Sequence, residues 1–249
     1  MAVLAAILTF LIVAQSGEPR LTFEVAAVKK NTSGEVDGRL ALTPGGYFRA
    51  INFDVFNLVA FAFRTTPRNL FRSQIVGAPD WTHTERYDVD GKMSRELFDR
   101  TAADRFRAPK LVKSLLEDRF RMQAHREQRE LPVYDLVVTS GKLAPVDVDC
   151  DTDRGRCSFK YLPGHLTARA VAMDTLAAML SSEVQRLVVD HTGLAARYDI
   201  ELEWAEEAAS SDKPSIFTAL QEQLGLKLES VREPVDVVVV DHIEKPAED

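Results

Sequence analysis

Residues Gly164 to Trp204 read GHLTARAVAMDTLAAMLSSEVQRLVVDHTGLAARYDIELEW. Within them Met173, Leu176, Ala177 and Leu180 recur at i, i+3, i+4 and i+7, the spacing that lines one face of an amphipathic helix. Leu187-Val188-Val189 follows as a brief apolar run, and Asp190-His191-Thr192-Gly193 has the polar, Gly-containing composition of a turn. The period then changes to two. Tyr198, Ile200, Leu202 and Trp204 alternate with Asp199, Glu201 and Glu203, which predicts a strand with one face on a core and three carboxylates in water.

An earlier segment, Gly46 to Gly91, repeats this plan. With both segments started at their glycines, Gly46 and Gly164, Val55, Leu58, Val59 and Ala62 stand where Met173, Leu176, Ala177 and Leu180 stand. Ile75-Val76 answers Leu187-Val188, and Arg86-Tyr87-Asp88-Val89 answers Arg197-Tyr198-Asp199-Ile200. Each unit continues into a helix and two strands. Leu111 to Leu116 leads to Phe120, Met122 and Ala124 and then to Val133–Val138; Ile216 to Gln223 leads to Leu224, Leu226 and Leu228 and then to Val235–Val240. The fold class expected is α+β, a tandem duplication of a βαββαββ unit with mainly antiparallel sheets and short helices packed on them. Val55 to Phe63 and Thr175 to Ser181 are the equivalent helices.

Further out, Leu21 to Val28 reads as a strand and Asn31 to Gly46 as a polar connection. Ser94 to Ala108 reads as a charged surface helix ending before Pro109, because proline disfavours helical backbone in the residue preceding it. Ala205 to Lys213 is small, polar and acidic, the composition of a flexible loop. Residues 21–143 form the first half, 144–162 a linker that holds both cysteines, and 163–246 the second half.

Met1 to Ala14 has no charged side chain, and the apolar run AVLAAILTFLIVA is followed by Gln15-Ser16-Gly17. This is the pattern of a signal peptide over residues 1–16, short for a membrane span of about 20 residues; no Lys or Arg precedes the apolar run, and a buried N-terminal helix and an uncleaved anchor are the alternatives. The expected destination is periplasmic or extracellular, with no stable membrane span after cleavage. Cys150 and Cys157, the only two cysteines, are close in sequence, and an oxidising compartment lets a disulfide between them persist.

The composition, 45% hydrophobic with 28% charged residues, is that of an ordinary globular chain. A net charge of −7 with scattered basic residues argues against nucleic acid, which needs a basic patch to release counterions.

Phe23-Glu24-Val25-Ala26, Ile75-Val76-Gly77-Ala78-Pro79-Asp80-Trp81, Leu115-Leu116-Glu117-Asp118-Arg119-Phe120, His125-Arg126-Glu127, Glu130-Leu131-Pro132-Val133-Tyr134, Asp190-His191-Thr192-Gly193-Leu194, Arg197-Tyr198-Asp199 and the run Ala219 to Leu228 carry a resemblance. Across nearly the whole mature chain they resemble the large paralogous family of secreted proteins of unknown function from soil acidobacteria. The resemblance implies an exported domain. Similar domains are fused behind membrane-embedded metallopeptidase sensors of the antibiotic-responsive type, which implies an extracytoplasmic sensing or binding role. The HExxH signature of such a peptidase does not occur here. More loosely, the βαβ units look like the small periplasmic domains of secretins and outer-membrane receptors.

The sequence nominates no catalytic residue, cofactor site or metal site. His83, His125, His165, His191 and His242 form no pair at metal-ligand spacing and none lies beside a cysteine, so they read as surface or turn histidines. No Gly-x-Ser-x-Gly elbow, GxGxxG or phosphate loop occurs. Asp147, Asp149, Asp151 and Asp153 alternate as calcium ligands do, but Arg154 stands at the turn glycine and Lys160 at the closing Glu, so a solvated acidic loop is expected. Trp81 reads as core packing beside its turn rather than as a ligand anchor. These features favour a non-catalytic extracytoplasmic binding or sensing module for an envelope or extracellular peptide, glycan or protein, engaged through a sheet edge or the groove between halves. The alternative is an exported hydrolase with a site assembled from distant residues.

Overall fold

The computed structural model of the chain describes residues 20–35, 37–43, 45–64, 70–98, 104–150, 152–206 and 212–247. The expected signal peptide, 1–16, lies outside the described residues, as do Asp151 and residues 207–211 of the acidic loop. The elements in order are β1 (Val25–Lys30), β2 (Arg39–Thr43), β3 (Tyr47–Asp54), α1 (Val55–Ala62), β4 (Ile75–Val76), α2 (Trp81–Thr84), β5 (Arg86–Lys92), α3 (Arg95–Phe98), α4 (Asp104–Arg119) and β6 (Gln123–Val138). Then come β7 (Pro145–Val146), β8 (Ser158–Leu162), β9 (His165–Val171), α5 (Met173–Glu183), β10 (Val188–Asp190), β11 (Arg197–Glu203), α6 (Ile216–Ala219) with a π-helical turn at Leu220–Leu224, and β12 (Leu226–His242). The fold is α+β with mainly antiparallel pairing.

Two outer sheets have corresponding orders, β1-β5-β3-β2 and β7-β11-β9-β8, and both are antiparallel throughout. Between them lies a sheet of order β10-β6-β12-β4, in which β6 and β12 pair antiparallel from Leu226↔Val138 to His242↔Gln123. Short β10 lies parallel to β6 at Tyr134–Leu136, and short β4 lies parallel to β12 at Val238–Val239. The two halves therefore share one sheet.

The sequence pattern divides the end of each half into two strands, but each is one continuous strand, of 16 residues in β6 and 17 in β12. Pro132 and Pro234 lie within these strands and pair with Arg232 and Glu130. A proline survives within a strand only where its missing N–H would have faced away from the partner. That condition is met in β6. The N–H of Tyr134, two residues on and so directed to the same side, points to the outer edge and donates to the Leu187 carbonyl at 2.9 Å.

Each long strand serves two cores. Ala124 of β6, with Met122 just before it, packs in a first core with α1, α4, the β1–β3–β5 layer and Val238 and Val240 of β12. Leu136 packs in a second core with α5, β9, β11 and Leu226 and Leu228 of β12. The helices carry the apolar stripes expected of them: Leu58 in α1 and Leu176 in α5 are fully buried. Each such leucine contributes on the order of 1.5–3 kcal/mol by leaving water.

Helix α4 corrects the expectation for Ser94 to Ala108. The helix does not end before Pro109: α4 runs through it to Arg119. Ala108, Leu111, Val112, Leu115 and Leu116 of α4 are all buried, a stripe whose removal from water outweighs the roughly 3 kcal/mol that a proline costs inside a helix. Likewise the connection from Asn31 to Gly46 holds an edge strand, β2, paired to β3 over Arg39–Thr43. Trp81 is partly buried against the first core.

The repeated Arg-Tyr-Asp triplets do the same work in both halves. Asn52 and Ala170 stand at the same offset from Gly46 and Gly164, and both have positive φ, 53° and 49°. The Asp88 carboxylate accepts the Asn52 N–H at 2.8 Å while the Arg86 guanidinium donates to the Asn52 carbonyl. The Asp199 carboxylate accepts the Ala170 N–H at 2.9 Å while Arg197 donates to the Ala170 carbonyl. Tyr87 and Tyr198 are buried between them. The triplet thus clamps both polar groups of a strained residue at a bulge, where a non-glycine residue at positive φ otherwise costs about 1–3 kcal/mol. A third correspondence precedes the long strands: Arg121 before β6 and Gly225 before β12 both have positive φ. At Gly225 a Cβ would lie 2.4 Å from the Ser140 carbonyl oxygen, so the close approach of β6's end admits only glycine.

Cys150 and Cys157 form a disulfide with a Cα separation of 5.6 Å, closing the loop that precedes β8. Within that loop the Thr152 hydroxyl donates to the Asp149 carboxylate, and the Asp153 N–H donates to the Asp149 carbonyl.

The Ala170 N–H and the Arg169 guanidinium hold the Asp199 carboxyl below its ordinary range. A depressed folded-state pKa gives stability that is present above the unfolded value and lost as pH falls through the folded one. Asp199→Asn should therefore lower the urea midpoint at neutral pH and flatten its decline on acidification, measured by denaturation across an acid pH series.

Candidate functional site

The shared sheet creates a cleft that neither half forms alone. Its volume is about 600 Å³, and it is walled by α5 and β10 on one side, by the Leu70–Gln74 segment and Arg126 on another, and by Glu233–Asp236 of β12. The floor is apolar and small: Ala177, Val188 and Val235 are buried there. The rim carries four carboxylates, Asp174, Asp190, Glu233 and Asp236, against one guanidinium, Arg126. Gln74 spans the junction, donating to the Asp236 carbonyl at 3.2 Å.

Small side chains on α5 follow from its packing. Ser181 is buried where α5 meets β10; its hydroxyl donates to the Ala177 carbonyl at 2.9 Å and accepts the Val188 N–H at 2.8 Å. β10 is pinned to β6 at both ends, by the Tyr134 N–H on the Leu187 carbonyl and by the His191 N–H on the Leu136 carbonyl at 3.0 Å. The Asp190 carboxylate then accepts the N–H and hydroxyl of Thr192, an Asx turn that fixes His191.

The turn presents the His191 imidazole to two carboxylates from the long strands. Nδ1 lies 3.6 Å from Asp135 of β6 and Nε2 lies 3.5 Å from Glu233 of β12. One ligand atom from each of the three residues lies within 4.8 Å of the others. The carboxylate side chains of Asp135 and Glu233 are only 17% and 21% exposed, and Oδ1 of Asp135 is buried without a hydrogen-bond partner. Among the described residues no other three His, Cys, Asp or Glu side chains are grouped at ligand distance. Glu233 belongs to both the cleft rim and this cluster.

The chain belongs to the family described as protein of unknown function (DUF3738), whose model matches residues 56–243. Comparison with curated proteins finds no match, and neither does comparison with solved structures. Membership in DUF3738 brings no activity with it, so function rests on this geometry.

Sequence reasoning places His191 in a turn, where it is, but does not bring it to Asp135 and Glu233. The three come from β6, the β10 turn and β12, with no local spacing to betray them. The only signal is indirect. His191 lies in the Asp190–Leu194 motif, and Asp135 directly follows the Glu130–Tyr134 motif. Trp81 does not line the cleft. No described helix is long and apolar enough to cross a membrane.

Because Ser181 satisfies a buried N–H of β10, Ser181→Ala should cost about 1–3 kcal/mol of stability, checked by urea denaturation of the two proteins.

Proposed function

We propose that the mature chain is an exported, non-catalytic binding or sensing module that seats a short, extended basic peptide in the cleft between α5 and β12. The observation that carries this reading is the rim: four carboxylates and one guanidinium surround an apolar floor, a field complementary to lysine and arginine side chains. The size suits a few residues, since ligand clefts of about 300–1,000 Å³ bury most of a small ligand. The Cys150–Cys157 disulfide supports an oxidising compartment. The resemblance to secreted soil-acidobacterial paralogues, and to domains fused behind membrane metallopeptidase sensors, supports a place outside the cytoplasm. The corresponding sheet orders, bulge clamps and positive-φ positions support descent of both halves from one duplicated unit.

A second binding mode has its own observation. Strand β8 lies at a sheet edge with Phe159 64%, Tyr161 44% and Leu162 44% exposed, a surface suited to strand addition.

Fluorescence anisotropy with labelled Lys/Arg-rich, Asp/Glu-rich and neutral peptides, and with oligosaccharides, separates these readings. The basic peptides should bind, weaken with added salt, and lose at least about tenfold in affinity with Ala178→Trp, which fills the cleft, or Asp236→Lys. Lys160→Pro in β8 should leave that binding intact. Loss with Lys160→Pro alone would move the site to the β8 edge, and oligosaccharide binding insensitive to charge would replace the peptide. Hydrolysis of a peptide, ester or glycoside that is lost on changing one cleft residue would establish the hydrolase instead.

A further inference from the structure

The geometry points to a divalent transition-metal site formed by Asp135, His191 and Glu233, which shares Glu233 with the cleft rim but does not require a peptide in the cleft. Three properties of the cluster carry this inference.

The first is the donor set. One imidazole and two carboxylates match zinc, manganese or ferrous iron; calcium prefers oxygens alone. Three protein ligands also leave coordination positions open for water or an incoming group, as in zinc sites that act on ligands.

The second is distance. The N···O separations of 3.5 and 3.6 Å are too long for hydrogen bonds. They run from different ring nitrogens, so only one of them can be an edge of the coordination polyhedron, and that one is close to the roughly 3.4 Å edge of a tetrahedron whose ligands lie about 2.1 Å from a central ion. Only one imidazole nitrogen can ligate a given ion, and with all three ligand atoms within 4.8 Å of one another, side-chain rotation is enough to close the set.

The third is the cost of the arrangement without a cation. Two carboxylates, each largely withdrawn from water and brought to within 4.8 Å, repel one another, and one oxygen of Asp135 is buried with no donor. A metal ion offsets all three penalties at once. The ligands are also held from behind: the Asx turn at Asp190 sets His191, and the β6–β12 register sets Asp135 and Glu233. Such support gives a site its geometry before an ion arrives.

His125 supplies the internal comparison. Its ring faces Asp241 at 2.8 Å and Glu127 at 3.6 Å, but these side chains are all more than a third exposed and can be satisfied by water.

Equilibrium dialysis of the full mature protein against Zn²⁺, Mn²⁺ and Ca²⁺ tests the site. One Zn²⁺ or Mn²⁺ per chain should bind saturably in preference to Ca²⁺, and Co²⁺ should give visible absorption of a low-symmetry N/O site. His191→Ala and Asp135→Asn should each weaken binding by at least about tenfold, while His125→Ala leaves it unchanged. Because Asp135 and Glu233 lie within the shared sheet, a variant that fails to fold is set aside in favour of the wild-type readout. Zn²⁺ should then shift the ring resonances of His191 by NMR and leave those of His125 in place. Absence of saturable binding, binding unaffected by the His191 and Asp135 variants, or shifts confined to His125 would each overturn the proposal. Peptide binding plays no part in any of these readouts, so failure here leaves the cleft reading standing, and the reverse holds.

Discussion

Pairing between β6 and β12 is the constraint on which the molecule depends. Side chains alternate along a strand, so a slip of one residue would turn Leu136, Val238 and Val240 from core to surface. The same ladder ends in two different cores, one with α1 and α4, the other with α5 and the π-helical turn, so its register is fixed from both ends. Individual backbone hydrogen bonds contribute only about 0.5–1.5 kcal/mol net. What makes the pairing decisive is that it commits buried side chains of both halves together. Neither core is complete without the long strand contributed by the other half.

The candidate site is a by-product of that arrangement. β10 and β4 occupy only short stretches of the ribbon's outer edges, and the cleft opens where α5 and the Leu70–Gln74 segment face each other across the uncovered part of β12. Both charged features lie on this junction. The acidic rim is drawn from α5, β10 and β12, and the Asp135–His191–Glu233 cluster from β6, the β10 turn and β12. A binding function placed there would sense the relation between the halves, because moving one against the other changes both the cleft and the cluster.

Much of the local structure was legible in the sequence. The 3.6-residue stripes located α1 and α5, period-two alternation located β11, and the paired cysteines gave the disulfide. The Arg-Tyr-Asp triplets were recognisable as repeats, although their role as clamps on positive-φ residues was not: Asn52 is of a type that tolerates such a backbone, but Ala170 at the same offset gives no sign of it. Each long strand read as two because its apolar alternation lapses midway, and Pro109 read as a helix stop although the buried stripe after it outweighs the cost of a proline inside a helix. The shared sheet and the three-residue cluster were illegible for one reason: both join residues far apart in the chain through pairing that no local period encodes.

Calorimetry combined with native-state hydrogen exchange, with the disulfide kept oxidised, tests the central claim that the two halves are one cooperative unit through β6 and β12. The account predicts a single thermal transition whose calorimetric and van't Hoff enthalpies agree, with the slowest-exchanging amides in the β6–β12 ladder and in both cores alike. Two separable transitions, or one half retaining protection while the other exchanges freely, would contradict it.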